Sequence, residues 1–316
     1  MNGYSERQRS SPPAWRRSWL RAAARSCPRA ALAGPPLPGD LLPADLDLVL
    51  RFDLGRLRAA LGPEPSQELS AQALGRAPDE GLVREALRAA DVVWLGLRAA
   101  DLEAGDRVLV VEAAAAPVPD PIAWKPLPSG RTGVRLFDSR TPAPRDGTSR
   151  IVKVGERVLA FVSPVEVASV SRVLRDGPDA RRRQPAAAGL VSVDWRGRRL
   201  SPLLENRYPA LASVLGSIAE LRASVELVGA DLNLDARVGC KDPGAAARVE
   251  RVLKTIGAAA PQLPQHAELL RALALSRAES TVQVHWPLPR QAVLAALRAL
   301  PGGPAGEPSA ASSREP

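Results

Sequence analysis

Residues 232–257 form the stretch that most constrains the fold, because they join a strand pattern directly to a helix start. Apolar and polar side chains alternate from Leu232 to Val238, which is typical of a strand with one buried face. Asp242 and Pro243 then predict a helix start, since aspartate can accept from a free backbone N–H and proline has no N–H to leave unpaired. The apolar residues that follow recur on one helical face; they are Ala246, Val249, Val252, Leu253 and Ile256.

Strand and helix patterns of the same kind run through the first half of the chain. The alternation over residues 46–52 predicts a strand, and Asp53 predicts the cap of the helix after it. Two apolar runs at 92–97 and 107–112 predict an antiparallel hairpin. A helical region is expected between the first strand and this hairpin.

The end of the first half carries a second hairpin and another helix start. Residues 150–162 predict a hairpin on a two-residue turn at 155–156. The sequence Ser-Pro-Val-Glu at 163–166 predicts a capping box with proline at the first helical position. Residues 117–133 are rich in proline, glycine and serine, and they are predicted to form a loop.

The second half repeats this order of strand, helices, hairpin and helix. Residues 189–194 parallel 48–53, and 225–239 parallel the hairpin at 92–112. The predicted fold class is therefore α+β, with two similar halves, each a mostly antiparallel sheet packed with helices. Whether the halves share one continuous sheet stays open.

The same patterns define the expected domain organisation. A leader and a proline-rich spacer occupy residues 1–43, and the first α+β domain occupies 44–177. A linker at 178–188 contains three consecutive arginines and precedes the second domain at 189–301. Residues 302–316 are small, polar and proline-bearing, which predicts a disordered tail.

The charge of the chain is concentrated in the leader. Residues 1–30 hold seven arginines and one glutamate, which accounts for most of the net charge of +9. A nucleic-acid reader usually carries its basic patch on the folded part, so nucleic acid is not an expected partner. The chain has no apolar run long enough to predict a transmembrane helix.

The leader carries three features of an export signal. Residues 16–21, RRSWLR, are similar to the twin-arginine signal, and Ala-Leu-Ala at 31–33 is similar to a cleavage site. Cys27 follows Ser26, as the lipid-modified cysteine of bacterial lipoproteins follows a small residue. Two other interpretations stay open, an organellar transit peptide and a disordered cytoplasmic tail.

The leader, the spacer and the repeated halves together resemble uncharacterised secreted or envelope proteins, including lipoproteins, of high-GC bacteria with duplicated α+β domains. The resemblance is one of overall style over residues 1–300, and it assigns no functional residue. It implies an envelope, periplasmic or secreted location, with a cytoplasmic one as the alternative. It also implies that the leader can contact an envelope protein or the membrane surface.

No residue pattern predicts catalysis, a metal or a cofactor. The chain has two cysteines, Cys27 and Cys240, and two histidines, His266 and His285, which are too few for a structural zinc site. His285 is predicted on the polar face of a strand at 281–286. The run Asp-x-Asn-x-Asp at 231–235 lacks the glycine and the glutamate of a calcium loop.

Trp124 is the residue with the best prospect of a binding role, because it lies in a proline-rich segment and tryptophan is favoured at binding hot spots. It can equally cover the edge of its own core. Asp53 and Asp194, which end the two equivalent strands, are predicted to be helix caps rather than a catalytic pair. We therefore expect a non-catalytic protein that acts by binding or as a structural component. The alternative is an enzyme whose site is assembled between the halves from Asp, Glu and Arg residues.

Overall fold

Alternating strand sequences dominate the chain, and in the structure they pair into one antiparallel sheet. The computed structural model describes residues 36–62, 81–98, 105–179, 185, 189–197, 202–258 and 267–293. The sheet has twelve strands in the order β11-β12-β10-β9-β8-β1-β2-β3-β7-β6-β5-β4. Their bounds are β1 Leu48–Asp53, β2 Ala90–Leu97, β3 Arg107–Ala113, β4 Trp124–Leu127, β5 Val134–Ser139, β6 Arg150–Val154, β7 Val158–Val162, β8 Val191–Arg196, β9 Ile218–Val228, β10 Asp231–Cys240, β11 Ala274–Ala278 and β12 Thr281–Leu288.

Helices connect the strands and pack against the sheet. Their bounds are α1 Leu54–Leu61, α2 Gly81–Ala89, α3 Val167–Asp176, α4 Pro202–Arg207, α5 Pro209–Ser217, α6 Pro243–Ala258 and α7 Ala267–Arg271. Two short 3₁₀ helices, Pro38–Leu41 and Pro164–Glu166, precede β1 and α3. The sheet and these helices confirm the α+β class with a mostly antiparallel sheet.

The pleat of the sheet separates its side chains into two faces with different coverings. We call back face the side that carries Val111, Leu159, Trp195, Val238 and Val282. Helix α2 covers this face beside β2 and β3, and helices α5 and α6 cover it beside β9, β10 and β12. The back face is therefore apolar and packed along both halves of the sheet.

The opposite side, which we call the front face, packs against described helices over β1 to β7. There Val110, Val152 and Val162 pack against the first 3₁₀ helix and helix α3. The register of pairing places polar residues on the same face of β8 to β12. The front face thus changes from a buried core to a polar surface at the centre of the sheet.

Several predicted local structures are confirmed. The Asp53 carboxylate accepts from the Arg56 N–H at 3.0 Å and caps α1. Asp242 accepts from the Ala245 N–H at 2.7 Å, and α6 begins at Pro243. The hairpin of β2 and β3 pairs in the predicted antiparallel direction.

Two predictions about the end of the first half are wrong in detail. The β6–β7 hairpin turns on three residues, because Val154 pairs with Val158 and Gly155 adopts a φ of 56°. A positive φ suits glycine, which has no side chain to clash. Part of the predicted loop at 117–133 is the edge strand β4, in which Trp124 pairs with Ser139.

The predicted capping box at 163–166 is also wrong. The Ser163 hydroxyl accepts from the Arg107 N–H at 3.1 Å instead of capping the helix. The Glu166 side chain is fully buried and pairs with Arg98, which also binds Asp45 at 2.8 Å. Tertiary contacts therefore take both side chains away from the helix start, and Glu166 ties α3 to the segment before β1.

The two predicted domains contribute to one continuous sheet. Strand β1 pairs with β8 over five residue pairs, from Leu48 with Trp195 to Phe52 with Val191. The described residues, from 36 to 293, belong to one compact unit. The boundaries at 177 and 189 stay a prediction, but the seam between the halves is a pair of neighbouring strands.

Candidate functional site

The front face of β8 to β12 forms a groove of about 730 Å³. Its floor is made of neighbouring residues on strands β8 to β12, and Pro185 of the predicted linker closes one side. The lining residues are Pro185, Val193, Asp194, Arg222, Ala223, Ser224, Asp235, Ala236, Arg237, Ala274, Leu275, Ser276, Gln283, Val284 and His285. Two other depressions, described below, have volumes of about 480 and 20 Å³.

The pairing register arranges the groove side chains in two rows that cross the strands. The arginine row crosses all five strands, and the aspartate row lies beside it, two residues away on each of β9 to β12. The arginine row contains Asp194, Arg222, Arg237, Gln283 and Ser276. The aspartate row contains Ser224, Asp235, His285 and Ala274. Each of the strands β9 to β12 thus offers two positions to a ligand, one in each row, and β8 offers Asp194 alone.

Two arginines lie side by side at the centre of the arginine row. Arg222 on β9 is paired directly with Arg237 on β10. Side chains that face each other across neighbouring strands lie about 5 Å apart at Cβ, and like charges in this position are destabilising. The groove therefore concentrates positive charge at one place on its floor.

Only one of these arginines has a carboxylate close by among the described residues. The Arg222 Nε lies 3.9 Å from the Asp194 Oδ2, and the Asp194 side chain is 6 % exposed. Arg237 is exposed and forms no hydrogen bond or ion pair with any residue that the structure describes. Its guanidinium is therefore available to a ligand.

The aspartate row contains an acid–imidazole pair. The His285 Nδ1 lies 2.8 Å from the Asp235 Oδ1, and the two side chains are 52 % and 63 % exposed. A carboxylate has two oxygens with several acceptor positions, so one contact with histidine leaves Asp235 able to accept more hydrogen bonds. The groove thus combines positive charge in one row with an acceptor in the other.

The structure confirms part of what the sequence predicts for this strand pair. Val282 and Val284 are buried, and Gln283 and His285 are exposed on the polar side, as the alternation predicts. The run at 231–235 lies on strand β10, as the alternation also predicts.

The prediction that Asp194 caps a helix is wrong. Asp194 lies inside β8 on the front face, pairs with Val49 of β1, and precedes the start of α4 by several residues. Asp53 is four residues along β1 from Val49, so the two carboxylates are roughly 13 Å apart. They cannot act as one catalytic pair.

Trp124 lies far along the sheet from the groove, on the edge strand β4. Its ring packs with Phe137 against the back-face cluster of the first half. It also borders a second depression of about 480 Å³ that includes Pro142 and Pro144. Both interpretations of Trp124, a core edge and a binding residue, remain compatible with this position.

Of the cysteines and the other histidine, the structure describes Cys240 alone. Cys240 is buried on the back face, and burial raises the pKa of its thiol. Cys27, His266, the arginine run at 181–183 and the tail at 302–316 lie outside the described residues. Sequence reasoning missed Arg222, Arg237 and Ser224, whose only signal is their alternating position in a strand.

None of the helices that the structure describes combines the length and the hydropathy needed to cross a membrane. No family model matches the chain, and no curated protein matches its sequence. Crystal form III of TP0453 is similar in fold, with a TM-score of 0.47 and 8 % identity over 84 % of this chain and 99 % of that one. Crystal form I of TP0453 has a TM-score of 0.47 and 9 % identity over 84 % of this chain and 98 % of that one.

Proposed function

We propose that the protein is a non-catalytic binding protein whose groove on β8 to β12 takes an anionic ligand. The observation that carries this proposal is the direct pairing of Arg222 with Arg237 on the groove floor. Two guanidinium groups in this arrangement repel each other unless an anion lies between or above them. A carboxylate or phosphate group would turn that repulsion into two charge-assisted contacts.

The residues around the arginines support an anionic ligand. Gln283 is paired with Arg237, and the Ser276 hydroxyl lies 3.5 Å from the Gln283 Oε1. Amide and hydroxyl groups can donate to the oxygens of an anion without adding a competing charge. The groove volume of about 730 Å³ lies within the ordinary range of small-molecule sites.

The alternative, an enzyme with a site between the halves, has less support. On the front face, the cavity beside the seam of β1 and β8 has a volume of only about 20 Å³. A substrate cannot enter a space of that size. The observation that favours catalysis is the contact between Asp235 and His285, in which the carboxylate could orient the imidazole as a general base. Both side chains are more than half exposed, however, as in an ordinary surface ion pair.

A titration with simple anions tests the binding proposal. Inorganic phosphate and succinate, each followed by chemical shifts of the protein amides, are expected to perturb residues of β9, β10 and β12. We expect Arg237→Gln to weaken this binding by about tenfold, because one charge-assisted hydrogen bond contributes roughly 1.5 kcal/mol. Arg175→Gln, which removes an exposed arginine of α3, is the matched control and should not change it. Equal binding by both variants, or no shifts in the groove, would count against the proposal.

We propose further that the protein belongs to the cell envelope or is secreted. The leader supports this through its twin arginines, the small residues at 31–33 and Cys27. Mass spectrometry of the N-terminus of the native protein distinguishes cleavage, lipid attachment at Cys27 and an intact leader. Recovery of the uncleaved chain from the cytoplasm of a GC-rich bacterial host would contradict this location.

We also propose that the two halves are copies of one unit. The strand orders β1-β2-β3-β7-β6 and β8-β9-β10-β12-β11 support it, because they follow the same sequence of neighbours outward from the central pair. A profile built from relatives of residues 48–163 is expected to match residues 189–288. If the profile of the first half does not match the second half in any alignment, the two halves are unrelated.

A further inference from the structure

We infer that the groove ligand is dipolar, with an anionic group on Arg222 and Arg237 and a cationic group on Asp235 about 7 Å away. This inference rests on the proposed function, because it takes the arginine pair as the anion site. It adds the chemical nature of the other end of the ligand and the distance between the two ends.

The distance follows from the geometry of one strand. Asp235 and Arg237 are two residues apart on β10, so their side chains leave the same face. Residues at this spacing in an antiparallel strand are separated by about 6.8 Å. A ligand that lies along the groove floor and contacts both side chains where they leave the strand has its opposite charges at a similar separation.

Asp235 is prepared to accept a ligand cation. Its side chain is 63 % exposed, and its one contact within the described residues is the His285 ring nitrogen at 2.8 Å. Ser224 lies directly opposite on β9 and adds a neutral hydroxyl rather than a competing charge. The second carboxylate oxygen can thus pair with an ammonium group at the groove floor.

This spacing selects among dipolar molecules. The ammonium and carboxylate of a free α-amino acid are attached to one carbon, so they cannot reach both rows. The termini of an extended dipeptide are separated by roughly 7 Å, because each residue spans at most about 3.6 Å. The ligand class that fits is therefore a short zwitterion of dipeptide length, with free amino and carboxyl termini.

A peptide series tests the inference on the full chain. Glycylglycine, its N-acetylated form and glycine are titrated separately, and amide chemical shifts report binding. We expect glycylglycine to bind about fivefold more tightly than either of the others, because an exposed ion pair contributes a factor of this size. Asp235→Asn should abolish the advantage over the acetylated form, while Asp120→Asn, which removes an exposed carboxylate from a distant loop, should keep it.

The outcomes separate this inference from the proposed function. If the free and acetylated peptides bind equally and Arg237→Gln weakens both, the groove binds anions and the dipolar inference is wrong. If no peptide binds and phosphate and succinate also leave the groove amides unchanged, both proposals are wrong. Circular dichroism of each variant checks that the fold is retained.

Discussion

The front face of the sheet is built in two ways in the two halves of the molecule. Over β3, β6 and β7 it is apolar and lies under a 3₁₀ helix and helix α3. Over β9, β10 and β12 it is polar and forms the groove floor. Strands β7 and β12 are both the fourth from their side of the central pair, yet Val162 is fully buried and Gln283 is exposed.

The difference shows that the apolar cluster described in the second half lies on the back face, while polar side chains occupy the front face there. The back face is covered by helices in both halves, so burial of apolar surface does not require the front face of β8 to β12. Those front positions are free to carry charges that a core would exclude. A binding surface can therefore be placed there at a small cost in folding free energy.

The largest effect is expected when a glutamate is placed on the front face of each half in turn. Val162→Glu is expected to lower the free energy of unfolding by about 4 kcal/mol or to prevent folding, because it buries an unpaired carboxylate. Gln283→Glu, its matched control, should change it by less than about 0.5 kcal/mol. Urea denaturation measures both. Similar losses for the two variants would show that the groove face is covered.

The second test concerns the ion pair that holds helix α3, which packs on the front face of the first half. Arg98→Ala is expected to lower the free energy of unfolding by about 3 kcal/mol, because it leaves the buried Glu166 carboxylate without its partner. The hydrogen bond with Glu166 raises the pKa of Arg98, so the Arg98 guanidinium is charged at neutral pH. Arg175→Ala removes an exposed arginine of α3, the helix that follows Glu166, and should have little effect in the same denaturation experiment. A small loss of unfolding free energy for Arg98→Ala would mean that the packing of α3 on the sheet does not depend on this pair.

The third test examines the back face, which is packed in both halves. Burial raises the pKa of the Cys240 thiol, so in a Cys27→Ser chain at pH 8 we expect a thiol reagent to label it at least about tenfold more slowly than in urea. The folded pKa is above the unfolded one, so the thiol stabilises the fold below the unfolded pKa. That contribution is lost as the pH rises through the folded pKa. Equal labelling rates would contradict a packed back face here.

The smallest expected effect comes from the groove arginines. Arg237→Gln should raise the free energy of unfolding by roughly 0.3 kcal/mol, because it removes the repulsion from Arg222, which solvent already screens. The gain should shrink in high salt. Arg277→Gln, which removes an arginine paired with Glu250 at 2.7 Å, should instead lower stability. A loss for both variants would show that Arg237 supports the fold rather than a ligand.

Local structure was largely predictable from the sequence where neighbouring residues decide it. The caps Asp53 and Asp242 are confirmed because each carboxylate needs only a backbone N–H three residues ahead. The polar side of β12 is confirmed because alternation fixes which residues share a face. The sequence could not show that the capping box at 163–166 is wrong, because Arg98 and Arg107 are distant in sequence from the side chains that they bind.

The groove illustrates the limit of local reasoning. Alternation alone places Asp235 and Arg237 on one face of β10, but it does not show what lies beside them. The pairing of Arg237 with Arg222 depends on the register of the β9–β10 hairpin, and Asp194 arrives from a strand outside that hairpin. The concentration of positive charge is thus a property of three aligned strands.

The sequence by itself determined the α+β class, the main strand–helix joints and the residues that share each strand face, because these depend on period and on nearby hydrogen bonds. Only the tertiary structure decided that β1 pairs with β8 to join the halves into one sheet. It also decided which half of the front face is covered, because α3 and the 3₁₀ helix before β1 meet the sheet through residues far apart in the chain. The groove lies beyond these two helices, and no local sequence pattern predicts where they meet the sheet.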